Sequence, residues 1–358
     1  MSEIKKSFTT EKFVATYPVE PNQDGWRLDQ FVQKCMPTLS RQYIKKKIDK
    51  GEVQISGRKS PHKPSVKVHH LEEITIITHN DGMIEDEFWR GKVIERTEKP
   101  QIVFEDEDIL VIHKPPFMIT HPAGKNLFYC ATVYFETLLK HKVHSIHRLD
   151  RETSGLLMLG KNPRSSAKVA ELFENDLVRK CYFLIAHKKE NATPFPFTAK
   201  ERMDRVEGSF PAGIMSIFPE DSDQGKDSTT HFELVLEKKD YVLALAFPET
   251  GRQHQIRLHA SFHGYPLLGD KLYNGDSNVF IRFKDFEATD EDHELMQISR
   301  QALHAIGLKL AYPGPEMNHF MAPLPMDLSD WLESKLNLKR EDVEKMLEEK
   351  ILKFFDKI

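Results

Sequence analysis

Cysteine is scarce in this chain of 358 residues: Cys35, Cys130 and Cys181 are the only three. They are odd in number, widely spaced and without a C-x-x-C pair, which excludes a disulfide framework and a cysteine zinc site and leaves three reduced packing residues. No run of about 18 apolar residues occurs, so no membrane-spanning helix and no membrane partner is expected. The start, "MSEIKKSFTTEKFVATY", places no continuous apolar stretch behind its lysines, as a secretion signal requires, and a cytoplasmic protein is the expectation. No Gly-rich phosphate loop and no internal repeat is present. The 17 histidines include His141, His144 and His147, and His254, His259 and His263. Their spacing is not H-E-x-x-H, and the H-x-E…P-C-x-x-C signature of zinc base deaminases is missing, so no metal site is expected. A formal net charge of −4 argues against a protein that coats nucleic acid indiscriminately.

What is present is an ordinary soluble composition, 39% hydrophobic and 30% charged, in a chain long enough for two or three units. Positive charge is concentrated between Arg41 and Lys67, where nine Lys and Arg face two acidic residues. Leu28, Phe31, Val32 and Cys35 fall on one helical stripe that Pro37 ends. Ser40 can cap a second helix carrying Ile44 and Ile48 on its buried side and Arg41, Lys45, Lys46 and Lys47 among its basic residues, with Gly51 at its end. "EVQISG" reads as a short strand and "SVKVHHLEEITI" as a strand pair. Residues 81–100 mix charges without period and read as a linker. "IVFEDEDILVIHKPP" reads as a β-hairpin, and "CYFLIAH", "THFELVLE" and "YVLALAFP" as further strands, interspersed with helices such as "SSAKVAELFENDL". Regular βαβ alternation is missing, which gives an α+β fold with a largely antiparallel, mixed sheet. From 327 onward, helix formers punctuated by Trp331, Leu332, Leu336, Val343, Leu347 and Ile351 read as a C-terminal helical extension, docked or self-associating.

Chemistry concentrates in three segments. In "HSIHRLDRETSGLLML", Asp150 lies between Arg148 and Arg151 before a Gly turn and an apolar run. An extended backbone puts Arg148 and Asp150 on one face and Leu149 in the core, and a carboxylate beside arginines stays ionised. Glu152 reads as a surface carboxylate. In "ETGRQHQIRLHASFHGYP", Thr250 and Gln253 fit a capping box, Gly264 and Pro266 mark the stop, and Arg257 projects from a rigid helix. In "RKCYFLIAH", Tyr182 opens a strand, where an aromatic ordinarily packs.

The order helix, basic helix, Gly, strand over residues 24–80 resembles the S4 RNA-binding domain. "HRLDRETSGLLMLGK" at 147–161, "KCY" at 180–182, "TGRQHQIRLHASFHGYPLLGDKLY" at 250–273 and "RQALHAIGL" at 300–308, after "EDEDILVIHKPP…HP" at 105–122, closely resemble the RluA family of RNA pseudouridine synthases. The resemblance implies isomerisation of uridine within structured RNA, ribosomal RNA being favoured and transfer RNA possible. It places the family's essential aspartate on Asp150, its active-site Tyr on Tyr182 and its active-site Arg on Arg257, with Arg148 filling the space a flipped base leaves. Arg41, Lys45, Lys46, Lys47, Arg252, His254 and Gln255 are the further RNA-binding candidates. The reaction has no redox step and no net exchange with solvent, so it requires neither cofactor nor metal, and no obligate protein partner is evident. The expected division is an N-terminal segment 1–23, the S4-like domain 24–80, a linker 81–100, the catalytic domain 101–326 and the helical extension 327–358. Residues 190–226 are expected to form a variable surface region. The alternative, a non-catalytic S4-type RNA-binding protein, gives no reason for Asp150, Tyr182 and Arg257 to be present together.

Overall fold

The computed structural model describes residues 4–37, 39–80, 87–123, 126–205, 208, 214–276, 278–312, 314 and 317–357. The first part of the expected linker, 81–86, and most of 206–213 within the expected variable region lie outside them. The chain forms two compact units, 1–86 with 121–143, and 87–120 with 144–358. Residues 121–143, which the motif order puts in the catalytic domain, thus group with the N-terminal unit.

In that unit, β1 (Lys5–Phe8), β2 (Lys12–Pro18), β3 (Val53–Ile55) and β4 (Glu73–His79) form an antiparallel sheet in the order β1-β2-β4-β3. The N-terminal segment is therefore part of the sheet, and "SVKVHHLEEITI" supplies one strand, β4, instead of two. Helices α1 (Leu28–Cys35) and α2 (Arg41–Asp49) lay Leu28, Phe31, Val32, Ile44 and Ile48 against Ile74 and Ile76. Ser40 caps α2 by accepting from the Tyr43 N–H, as its position predicts. A third helix, α3 (Ala131–Leu139), lies in the 121–143 segment.

The second unit opens with a small ribbon, β5 (Phe88–Trp89) and β6 (Lys92–Val93), and the expected hairpin, β7 (Gln101–Glu105) and β8 (Ile109–Lys114). After β9 (His144–Ser145) come the buried strand β10 (Ser154–Gly160), α4 (Pro163–Glu174) and β11 (Arg179–His187). Next are β12 (Phe197–Ala199), the hairpin β13 (Arg202–Arg205) and β14 (Met215–Phe218), β15 (Thr230–Lys238) and β16 (Tyr241–Pro248). Helices α5 (Gln255–Phe262), α6 (Val279–Lys284) and α7 (Asp290–Met296) precede β17 (Leu303–Ala311), β18 (Met317–Met321), α8 (Met326–Leu336) and α9 (Arg340–Lys357).

The main sheet runs β12-β15-β16-β11-β17-β10-β8-β7, with β18 beside β17 and β9 beside β10. Its pairings among the described strands are antiparallel except that of β10 with β17. That one parallel contact needs a glycine: Gly155 has φ +112°, and a Cβ there would collide with the backbone of Ala305. The C-terminal extension is docked, burying Leu328, Trp331, Leu332, Leu336, Val343, Leu347, Ile351 and Phe355 against Phe183, Leu245 and Ile306 of the sheet. Each such side chain contributes about 1.5–3 kcal/mol through removal from water. No described helix is long and apolar enough to cross a membrane.

Candidate active site

The parallel β10–β17 contact leaves the chain before β10 at a turn, closed by the Thr153 N–H donating to the Asp150 carbonyl. Leu149 is buried and Arg148 exposed, so adjacent residues point to opposite sides as the extended reading requires. Asp150 pairs with neither arginine beside it. Its Oδ2 accepts from Arg257 Nη1 at 3.0 Å and from Gln301 Nε2 at 3.5 Å. His254 Nε2 stands 3.9 Å from the same oxygen. No donor among the described residues is within hydrogen-bond distance of Oδ1. Burial works to raise the Asp150 pKa, but the Arg257 guanidinium, His254 and the two hydrogen bonds outweigh it and hold the group below the usual carboxylate range. Asp150 is therefore an anion with one oxygen anchored and one open.

Arg257 is fixed from behind. Its Nε and Nη2 donate to the two oxygens of Asp270 at 2.7 and 2.8 Å, and its guanidinium lies 5.2 Å from the Tyr273 ring centre. This forked pairing orients the remaining nitrogen, Nη1, at Asp150. Asp270 is fully buried, accepts also from the backbone N–H groups of Leu272 and Tyr273, and went unrecognised in the sequence.

His254 is held from behind by Tyr273. The Tyr273 hydroxyl accepts from the Met215 N–H at 3.1 Å and hydrogen-bonds His254 Nδ1 at 2.9 Å, which turns Nε2 of the ring toward Asp150. Burial, and then the charge of Arg257, push the His254 pKa down to about 4, which keeps the ring neutral.

Tyr182 follows a β-bulge between Cys181 and Tyr182 in the pairing of β11 with β17. It lines, with Asp150, Arg148, Arg252, His254 and Leu303, a cavity of about 140 Å³. Burial and the Asp150 charge push its phenol pKa up, so the ring is a neutral surface. Lys180, which lines the same cavity, donates to the Glu249 carbonyl.

The candidate site residues and their helices depart from the sequence reading at four further places. Helix α5 begins at Gln255, with His254 at its cap in a left-handed conformation, instead of at a Thr250 capping box. Thr250 and Gln255 form a separate polar knot, Gln255 being buried and donating to Thr229 O and Thr230 Oγ1, so its side-chain amide is engaged within the protein although the residue lines the cavity. Lys47 is buried with its ammonium 2.7 Å from Glu52, so it is not a phosphate contact; Arg41, Lys45 and Lys46 are exposed. Glu152 is not a surface carboxylate: it accepts from Lys271 Nζ at 3.0 Å and from the Gln301 N–H at 3.1 Å. Among the described residues, no group of three His, Cys, Asp or Glu is placed to hold a metal ion.

Residues 108–262 match the family model described as RNA pseudouridylate synthase. The ribosomal large subunit pseudouridine synthase D of Vibrio vulnificus (strain CMCP6) is 30% identical over 333 residues, covering 89% of this chain and 94% of that protein. The protein of the same name from Haemophilus influenzae (strain Rd) is 32% identical over 328 residues, covering 88% and 92%. Among solved structures, human RNA pseudouridylate synthase domain containing 4 superposes with a TM-score of 0.51 at 24% identity, over 65% of this chain and 92% of that one, which shows a shared fold. With relatives of this identity aligned along nearly nine-tenths of its length, the chain belongs to the RNA pseudouridine synthase family and is an isomerase of uridine in RNA.

Proposed function

We propose that this enzyme converts specific uridines of large-subunit ribosomal RNA to pseudouridine, with Asp150 as the essential carboxylate. The observation that carries the assignment is the ionised Asp150, anchored through Oδ2 and open at Oδ1, in the cavity that Tyr182 lines. A uridine in folded RNA must leave its stack to be reached, and a site for it needs a stacking surface, a clamped anion and a group to occupy the gap. Tyr182 supplies the surface, Arg257 the clamp, and exposed Arg148 the filler; Arg252 and His254 edge the same cavity. The open oxygen attacks the extruded nucleoside or stabilises the intermediate formed when the glycosidic bond breaks, and it needs no base to deprotonate it. The relatives, ribosomal large subunit pseudouridine synthases by name, favour ribosomal over transfer RNA.

Residues 24–80 act in this reading as the S4-like docking domain, using Arg41, Lys45 and Lys46 on phosphates, within a cytoplasmic protein. The proposed functional organisation keeps 24–80 as the docking domain, with 1–23 completing its sheet, 81–100 as the linker, 101–326 as the catalytic domain apart from 121–143, which group with the N-terminal unit, and 327–358 as the extension. The test maps pseudouridines in total RNA from cells carrying the gene, lacking it, or complemented with Asp150→Asn. The expected result is one or a few large-subunit positions that lose the modification on deletion and do not regain it with Asp150→Asn. Restoration by Asp150→Asn would refute the role of Asp150, and loss confined to transfer RNA would refute the choice of substrate.

A further inference from the structure

Arg300 is fully buried and sits directly before Gln301, the residue that reaches Asp150. Each of its three nitrogens donates to a partner inside the protein. Nε and Nη2 pair with the two oxygens of Asp327 at 2.6 and 2.9 Å, and Nη1 donates to the carbonyls of Glu152, Gln301 and Leu303 at 3.1–3.2 Å. Asp327 is the second residue of α8, where the unpaired N–H groups of a helix start favour a carboxylate, and its Oδ1 accepts from the Leu328 N–H. Glu152 lies two residues from Asp150 in the catalytic turn. Its side chain accepts from the Gln301 N–H, while the Gln301 amide donates to Thr153 Oγ1 at 2.7 Å as well as to Asp150.

We infer that Arg300 and Asp327 are positioning residues for Asp150: the C-terminal helical pair supplies the counter-ion of a buried arginine whose other donors hold the catalytic turn and the strand carrying Gln301. The inference rests on Asp150 being the catalytic carboxylate. Arg300 ties three chain segments, 150–153, 300–303 and α8, into one rigid block. A buried guanidinium without its carboxylate relaxes toward solvent or another anion, and the three carbonyls then lose their donor. The Asp150 carboxylate must meet its substrate within a fraction of an ångström, and misplacement by about 1 Å costs on the order of a hundredfold in rate. The C-terminal extension is thus coupled to chemistry through one ion pair, separately from the apolar packing that docks it.

The test separates positioning from stability in the full-length protein, using single-turnover pseudouridine formation, RNA affinity and melting temperature. Arg300→Lys keeps the charge but not the planar fork. Arg300→Met combined with Asp327→Leu removes both charges and replaces them with apolar groups, a change that commonly restores stability. Leu332→Ala is the control, since it removes packing beneath α8 and touches no part of the network. The expected result is a rate loss of tenfold to about a hundredfold in Arg300→Lys and in the double variant, with RNA affinity within about twofold of parental. Leu332→Ala should lower the melting temperature and leave the rate at 25 °C nearly parental. If Arg300→Lys or a stable double variant turns over at the parental rate, or if Leu332→Ala loses as much rate as they do, the positioning role is overturned. Asp150→Asn is assayed alongside: activity in that variant would mean that the assignment of the catalytic carboxylate had failed, a different outcome from an inactive Asp150→Asn with a fully active double variant.

Discussion

Asp270 decides whether Arg257 can serve Asp150. It accepts two guanidinium hydrogen bonds and two backbone ones, with no exposure to solvent, so its charge is compensated only by the groups it orients. Asp270→Asn keeps the size and removes the anion, leaving a buried cation shared with Asp150 alone. The expected cost is about 3–5 kcal/mol of unfolding free energy, the scale for breaking a buried pair from one side. Urea denaturation measures it, and an unchanged midpoint would show that the pair contributes little. Turnover should fall as well, because Arg257 can then rotate toward Asp150. Asp150 was legible because its neighbours form a specific motif, whereas Asp270 was not: "LLGDKLY" announces a turn, and its partner is a residue 13 positions away in another element. Glu152 was misplaced for the same reason. A carboxylate beside Arg151 in a turn reads as solvated, and only the approach of Lys271 and Gln301 makes it internal.

Helix α2 shows what periodicity conveys and what it omits. The Ser40 cap, the Ile44–Ile48 stripe and the Gly51 stop were all readable, since each is local chemistry. The four basic residues were read as one class, yet 3.6-residue geometry turns Lys47 inward beside Ile44 and Ile48, where Glu52 neutralises it. The helix therefore predicts two different phenotypes. Lys45→Ala with Lys46→Ala should weaken binding to structured RNA and lower the slope of log affinity against log salt by about two, near one per lost phosphate contact. Lys47→Ala should leave that slope unchanged and lower the melting temperature, because Glu52 loses its partner. A salt series on both proteins distinguishes them; an equal loss of slope would mean that Lys47 reaches phosphate after all. Helix α5 carries the complementary lesson. Its end at Gly264 was visible, but its start was displaced because Thr250 bonds to Gln255 and to the Thr229 N–H instead of capping a helix.

Across the whole molecule, the antiparallel sheet was foreseeable from successive strand-like runs, while long-range pairings were not. Nothing local in "KKSF" or "KFVATYP" says that β2 will pair with β4, some sixty residues later, and the C-terminal helices declared their apolar spacing but not their place against the sheet. Burial at this scale also has a titration signature. Burial first, and then neighbouring cations, push His113 and His254 down to about 4 and His147 down to about 3. These rings stay neutral in the folded protein at pH values where they would take up protons when unfolded. The unfolded chain therefore binds more protons between about pH 4 and the ordinary histidine value near 6.5, so stability rises with pH across that window and is progressively lost as pH falls through it. Asp150 and Asp270 act in the same direction at lower pH. Both are held below the ordinary carboxylate value, so their contribution is present above that value and disappears as pH falls through their folded pKa. Urea midpoints measured from pH 7 to pH 4 should thus decline before the carboxylates begin to titrate. His147 accepts from the Met158 N–H and stacks on Phe173, so His147→Gln, which keeps an acceptor but cannot be protonated, should flatten that decline. Midpoints that stay level from pH 7 to 4.5, or a His147→Gln profile parallel to the parental one, would show that the folded protein accommodates the imidazolium and that burial of these rings does not govern its acid sensitivity.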